Sequence, residues 1–99
     1  MYSQQMLNSI IQGLVSSEND LQFHKLNLER FEAITNDETL DKESDFAKKL
    51  LKEIPVLRSR IAEVELVIKH TNLQLETAGY TAEQIETAKQ EVITKTENV

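Results

Sequence analysis

Cysteine and tryptophan are absent from this chain of 99 residues, proline occurs once, and glycine twice. Without cysteine there is no disulfide framework, no thiolate nucleophile and no Cys-ligated zinc site. A reducing compartment is therefore compatible with the composition. So few glycines and prolines exclude a turn-rich sandwich or barrel. Aromatic side chains are scarce too, three Phe and two Tyr, in a chain that is 39% hydrophobic. That content is lean for a globular core but suits long helices, which bury a stripe rather than a ball. Long apolar runs are also missing. Triplets such as Leu66-Val67-Ile68 fall far short of the roughly twenty residues that a membrane span needs. The segment Met1-Tyr2-Ser3-Gln4-Gln5-Met6 has no basic region and no small-residue cleavage site, so no secretory signal is expected. No prenylation ending and no Asn-x-Ser/Thr acceptor occur. Positive charge is in deficit: seventeen Asp and Glu against eleven Lys and Arg give a formal charge of −6. Such a chain is repelled by phosphate backbones and anionic lipid, which disfavours direct nucleic-acid binding. A cytoplasmic protein without membrane association is expected.

What is present is heptad periodicity. Leu7, Leu14, Leu21 and Leu28 form one column of a seam, and Ile10, Ser17, His24 and Phe31 form the other. A second seam runs through Leu50, Ile54, Leu57, Ile61, Val64, Ile68, Thr71, Leu75 and Ala78. Each predicts a helix of roughly 33 to 36 residues, about 50 Å long. The polar segment Thr35 to Asp41 between them reads as a turn. Matched lengths and a short connection predict an antiparallel, coiled-coil-like hairpin. The pattern predicts helix 1 over about 3–35, a turn over 36–42 and helix 2 over about 43–78, within a single helical domain spanning 1–99.

Two seam registers are compatible with the heptads. One centres the turn on Thr39 and sets Leu28 against Leu50 and Leu21 against Leu57. The other, one heptad along, centres it on Lys42-Glu43. The first is preferred because Thr39 lies inside the polar segment. Charge supports the hairpin: Glu29, Glu32, Asp37 and Glu38 at the end of helix 1 would meet Lys48, Lys49, Lys52, Arg58 and Arg60 at the start of helix 2. Exposed pairs of this kind are each worth only about 0.2 to 1 kcal/mol, so they select alignment more than they stabilise.

Three local features modify the hairpin. Pro55 lies inside the second seam and lacks the N–H for the carbonyl four residues back, which predicts a kink. Ser16-Ser17-Glu18-Asn19-Asp20 resembles a helix start, but the seam is in phase on both sides, favouring a continuous helix 1. Gly79 supplies a stop, and Thr81-Ala82-Glu83-Gln84 is a capping box that opens helix 3, over about 82–94. The residues from Lys95 to Val99 are expected to fray.

Apolar residues also lie off the seams: Met6, Ile11, Val15, Phe23, Leu26 and Ile34 on helix 1, and Leu51, Val56, Leu66, Val67 and Leu73 on helix 2. A fully buried large side chain is worth about 1.5 to 3 kcal/mol, so covering such a stripe is favourable. Helix 3 carries only Ala82, Ile85, Ala88, Val92 and Ile93, and is expected to be too thin to supply the cover. The alternative is that helix 3 folds back and the remaining residues are scattered on the surface. The first seventeen residues contain no charged side chain, which suits a buried interface. The candidate interface is therefore Met6, Ile10, Ile11, Leu14, Val15, Phe23, Leu26, Leu66, Val67 and Leu73. Oligomerisation or a partner protein would complete the bundle.

Chemistry is hard to assemble from these residues. The two histidines, His24 and His70, lie at opposite ends of the preferred hairpin, and the Glu-x-x-His pattern of di-iron bundles is absent. His24 reads as a polar seam residue, like Ser17 and Thr71. Carboxylates fall on wet helix faces, Gly13 and Gly79 stand alone, and no Ser-His-Asp set forms. No catalytic residue, metal or cofactor is expected. The basic cluster has no interleaved aromatics for stacking bases. The composition points to a non-catalytic interaction or assembly subunit, binding itself or another protein. The alternative is a small acidic inhibitor or decoy that blocks a basic groove, such as one on a nucleic-acid enzyme, with Glu76, Glu83, Glu86, Glu91 and Glu97 as its unopposed acids.

Overall fold

The computed structural model describes residues 1–97. They form three helices, α1 (Gln4–Thr35), α2 (Asp45–Thr77) and α3 (Ala82–Glu97), with no strand among the described residues. Helix α3 continues past the expected end near Thr94 as far as Glu97; Asn98 and Val99 lie outside the described residues.

Each helix end has a local cause. Ser3 caps α1 by accepting a hydrogen bond from the Met6 amide at 3.2 Å. The connection after α1 contains two Asx turns. Asp37 Oδ1 accepts from the Thr39 amide and hydroxyl at 2.8 Å each, and Asp41 Oδ1 accepts from the Glu43 amide at 3.0 Å. The Thr39 backbone bond, then its hydroxyl, holds the Asp37 carboxyl below the usual carboxylate value. Ser44 then caps α2, accepting from the Ala47 amide at 3.2 Å. At the far end of α2, Gly79 has φ of +102°, Tyr80 N–H donates to the Leu75 carbonyl and Gly79 N–H to that of Glu76. This is a Schellman motif, and it needs the left-handed conformation that glycine adopts most cheaply. The capping box follows: Thr81 N–H donates to Gln84 Oε1 at 2.9 Å, and Gln84 N–H to Thr81 Oγ1 at 3.1 Å.

Helix α1 runs unbroken through Ser16–Asp20, and α2 runs unbroken through Pro55. Pro55 and Leu51 are both exposed, so the Leu51 carbonyl that lacks its helical donor is on a side of the helix that water can reach.

Packing divides the chain into two units: Met1–Asn19 with the chain from Leu66 onward, and Asp20–Glu65. In the second unit the core is Ala47, Leu50, Ile54, Leu57 and Ile61 of α2, with Thr35 buried at the end of α1. Leu21, His24, Leu28 and Phe31 of the α1 seam are half-buried. The helices here do not take the register centred on Thr39. Arg58 Nη2 lies 3.4 Å from Glu32 Oε1. In the Thr39 register these residues would be twelve positions out of step, about 18 Å along the helix, beyond the reach of both side chains. The register one heptad along brings Arg58 within five positions of the residue opposite Glu32. Both side chains lean toward their own N-termini and close the remaining gap. Leu28 therefore faces Leu57, and His24 faces Ile61. The midpoint of the polar turn was a poorer guide than the reach of one ion pair.

The expected meeting of acidic and basic blocks is mostly unrealised. Besides Glu32–Arg58, the described residues of this unit show one further ion pair, Lys48–Glu43 at 3.8 Å, both side chains largely exposed. Lys52 lies on the side of α2 away from Leu50, Ile54 and Leu57, and Lys49 and Arg60 flank that stripe, because 100° per residue carries them around the helix.

In the first unit, Ile11, Leu14, Leu75 and Ile85 form the core, with Tyr2, Leu7, Ile10, Val15, Ile68, Tyr80, Ala88 and Val92 packed against it. Helix α3 thus folds back on α1 and α2 in this unit and covers Ile11, while Met6, Phe23, Leu26, Leu51, Val56, Leu66, Val67 and Leu73 of the off-seam residues stay exposed. Its 16 residues span about 24 Å. Ile85 is buried in the core, with Ala88 and Val92 packed against it, partly buried.

Candidate interaction surface

The ten candidate interface residues separate into two groups. Ile11 and Leu14 are each 1% exposed, with Ile10 and Val15 half-buried beside them. Ile11 and Leu14 are taken up by the chain's own core, and Ile10 and Val15 pack against it while staying partly exposed. Within the uncharged segment 1–17, Tyr2, Leu7, Ile10, Ile11, Leu14 and Val15 belong to or pack against the core that contains Ile85. Met6, Phe23, Leu26, Leu66, Val67 and Leu73 remain exposed. Phe46, also exposed, escaped the sequence reading because it precedes the first seam residue of helix 2.

Among the exposed residues, Leu66 and Leu73 are one heptad apart on α2, 54% and 55% exposed. His70 lies on the same face and Val67 at its edge. Their position is opposite Ile68 and Leu75, which point to the core of this unit. Leu73 and His70 also line a shallow open pocket of about 380 Å³ with Tyr2, Gln74, Thr77 and Ala78. Tyr2 is held there firmly. Its amide donates to Tyr80 Oη at 3.1 Å, its own hydroxyl accepts from Gln74 Nε2 at 3.3 Å, and the two rings stack at 6.2 Å with 15° between planes. Only these two tyrosines exist in the chain, and nothing in their 78-residue separation signals the pairing.

Electrostatics favours docked α3. Lys89, with a side chain only 16% exposed, sits 2.9 Å from Glu18 and 3.2 Å from Glu86. Burial disfavours its charge, but hydrogen bonds to Glu18 and Glu86 and their negative charge outweigh that, and the ammonium stays above its ordinary value. Glu86 is held below the usual range by hydrogen bonds from Gln90 and then Lys89. Among the described residues no group of three or more His, Asp or Glu is placed to hold a metal ion. None of the described helices is long and apolar enough to cross a membrane. His24 Nδ1 is buried without a hydrogen-bond partner. Open grooves of about 410 and 500 Å³ flank the C-terminal half of α3, lined by neutral polar residues of α1 such as Asn8, Gln12 and Asn19.

These features define an all-α, bundle-like protein with outward apolar helix faces. No protein-family model matches the chain, and comparison with curated proteins and with solved structures finds no significant match.

Proposed function

We propose that this protein is a non-catalytic interaction subunit that packs the outer face of α2, Leu66, Val67 and Leu73, against a helix of a partner protein or of a second copy. The observation that supports this reading is the exposure of large apolar side chains. Among the described residues ten are 42–80% exposed, against nine buried apolar residues. Single exposed leucines are ordinary, but a heptad-spaced pair with a valine alongside is the geometry of a helix–helix seam. Cytoplasmic location belongs to the same proposal.

The test is the double variant Leu66→Glu/Leu73→Glu. Light scattering on the wild type reads self-association, and affinity capture from the native source reads a foreign partner. The variant should lose whichever is found while keeping wild-type helix content and melting temperature. Retention of the same mass and the same captured protein would sink the proposal.

A second reading, an acidic decoy for a basic groove, draws support from Glu76, Glu83 and Glu91, exposed and without ion pairs among the described residues. It is separated from the first by salt. Decoy binding should weaken steeply between low and high ionic strength, whereas an apolar seam should not.

A further inference from the structure

Helix α2 carries, within the Asp20–Glu65 unit, a cationic ridge that the interaction reading above does not use. Lys49, Lys52, Val56 and Arg60 follow one another at steps of three, four and four, which places them along one side of the helix. Lys48 adjoins them. All four cations are exposed, and Val56 between them is 42% exposed. Two observations make this more than a solvated face. The acidic end of α1, which could have neutralised it, engages only Arg58, through Glu32. Lys49, Lys52 and Arg60 make no ion pair among the described residues, and Lys48 reaches only Glu43, at 3.8 Å. In a chain of net charge −6, a cluster of like cations left unpaired is a local reversal of sign.

We infer that this ridge docks an acidic helical segment of a partner protein: an apolar residue to cover Val56, with carboxylates one turn away on either side to meet Lys49, Lys52 and Arg60. The inference rests on the reading of the chain as an interaction subunit but uses an earlier stretch of α2, which ends at Arg60, before Leu66. The bounds of the ridge argue for a short protein segment over a polyanion. Asp45 and Glu63 lie on the same side of α2 beyond its two ends, and Glu53 runs along its margin. The positive stretch from Lys48 to Arg60 is therefore about 18 Å long. A nucleic-acid strand continuing past it would run onto carboxylates, whereas a helix of three or four turns ends before them. Beyond about 8 Å at physiological salt the remaining negative charge of the chain is screened, so the local sign decides docking.

The experiment uses the full chain and a fluorescein-labelled helical peptide in which leucines repeat every seven residues, flanked at three and four positions by glutamates. Anisotropy should show binding that weakens with added salt. The variant Lys49→Glu/Lys52→Glu/Arg60→Glu should bind at least about tenfold more weakly, with unchanged helix content by circular dichroism. Leu66→Glu/Leu73→Glu should bind the peptide as the wild type does, which separates failure of this inference from failure of the α2 outer-face proposal. A single-stranded oligonucleotide of equal charge is the competing probe. The inference is overturned by no binding of the peptide, by binding indifferent to the triple variant, or by tighter binding of the oligonucleotide. Light scattering at low salt supplies a further check. A dimer lost in the triple variant would make the acidic turn of a second copy the occupant and overturn the assignment to a partner protein.

Discussion

Lys89 of α3 and Glu18 of α1 form a charge-assisted hydrogen bond of 2.9 Å, and this contact anchors α3 to α1 beside their shared apolar core. A hydrogen bond to a partly buried charge is stronger than a surface ion pair, because less water competes for either group. Exchanging Lys89 for Met keeps much of the apolar stem but leaves Glu18 without its donor. Denaturant unfolding should show a loss of about 1 kcal/mol, after allowing for the partial exposure of Glu18. The pH dependence has a definite sign. The folded value of Lys89 is raised, so its contribution is complete below about pH 10.4, the unfolded value, and disappears as pH climbs through the folded one. The wild-type stability curve should therefore fall more steeply than that of Lys89→Met in this alkaline range; parallel curves would remove the assignment.

The two apolar populations should respond very differently to truncation. Leu75→Ala and Ile11→Ala each empty a site in the core with Leu14 and Ile85, and should cost about 2–5 kcal/mol. Leu66→Ala or Leu73→Ala removes an exposed side chain, and the isolated chain should change by less than about 0.5 kcal/mol. Thermal melts of the four variants give the comparison. Equal losses would mean that the outer face of α2 is covered in the free protein.

His24 is a polar seam residue whose Nδ1 is buried without a hydrogen-bond partner. A buried polar atom without a partner costs stability, and an apolar replacement of similar size removes that cost. His24→Leu should stabilise the protein by about 1 kcal/mol in urea unfolding. Destabilisation on this exchange would mean that the imidazole has a partner, such as an ordered water.

Register in the Asp20–Glu65 unit is open to a chemical test, since no native cysteine competes. Leu28→Cys with Leu57→Cys joins residues that face one another in the register selected by Glu32–Arg58, and should oxidise readily to an intrachain disulfide. Leu28→Cys with Leu50→Cys lies one heptad, about 10 Å, out of step and should remain reduced under the same conditions. Mass spectrometry of the oxidised proteins distinguishes the pairs, and the opposite outcome would restore the register centred on Thr39.

Much of the local structure was legible residue by residue. The seams through Leu7–Phe31 and Leu50–Ala78 specify helices because a period of 3.5 can bury only one helical stripe. Gly79 and the Thr81–Gln84 box mark a stop and a start because they satisfy backbone groups within a few residues of themselves. Such signals are complete in the sequence, since cause and effect lie within one or two turns of chain. What the sequence left open depends on distance between elements. Heptads repeat, so a shift of seven residues preserves every apolar match, and only the reach of Arg58 to Glu32 separated the two registers. Ile11 and Leu14 look the same in sequence whether they face a partner or α3. Their burial was decided by the Tyr2–Tyr80 stack and the Glu18–Lys89 bond, each joining residues more than seventy positions apart. The sequence by itself determined which residues are helical and which stripes are apolar, because those are local properties of spacing. Which stripe is covered from within, and which is left facing water, was decided only by tertiary packing.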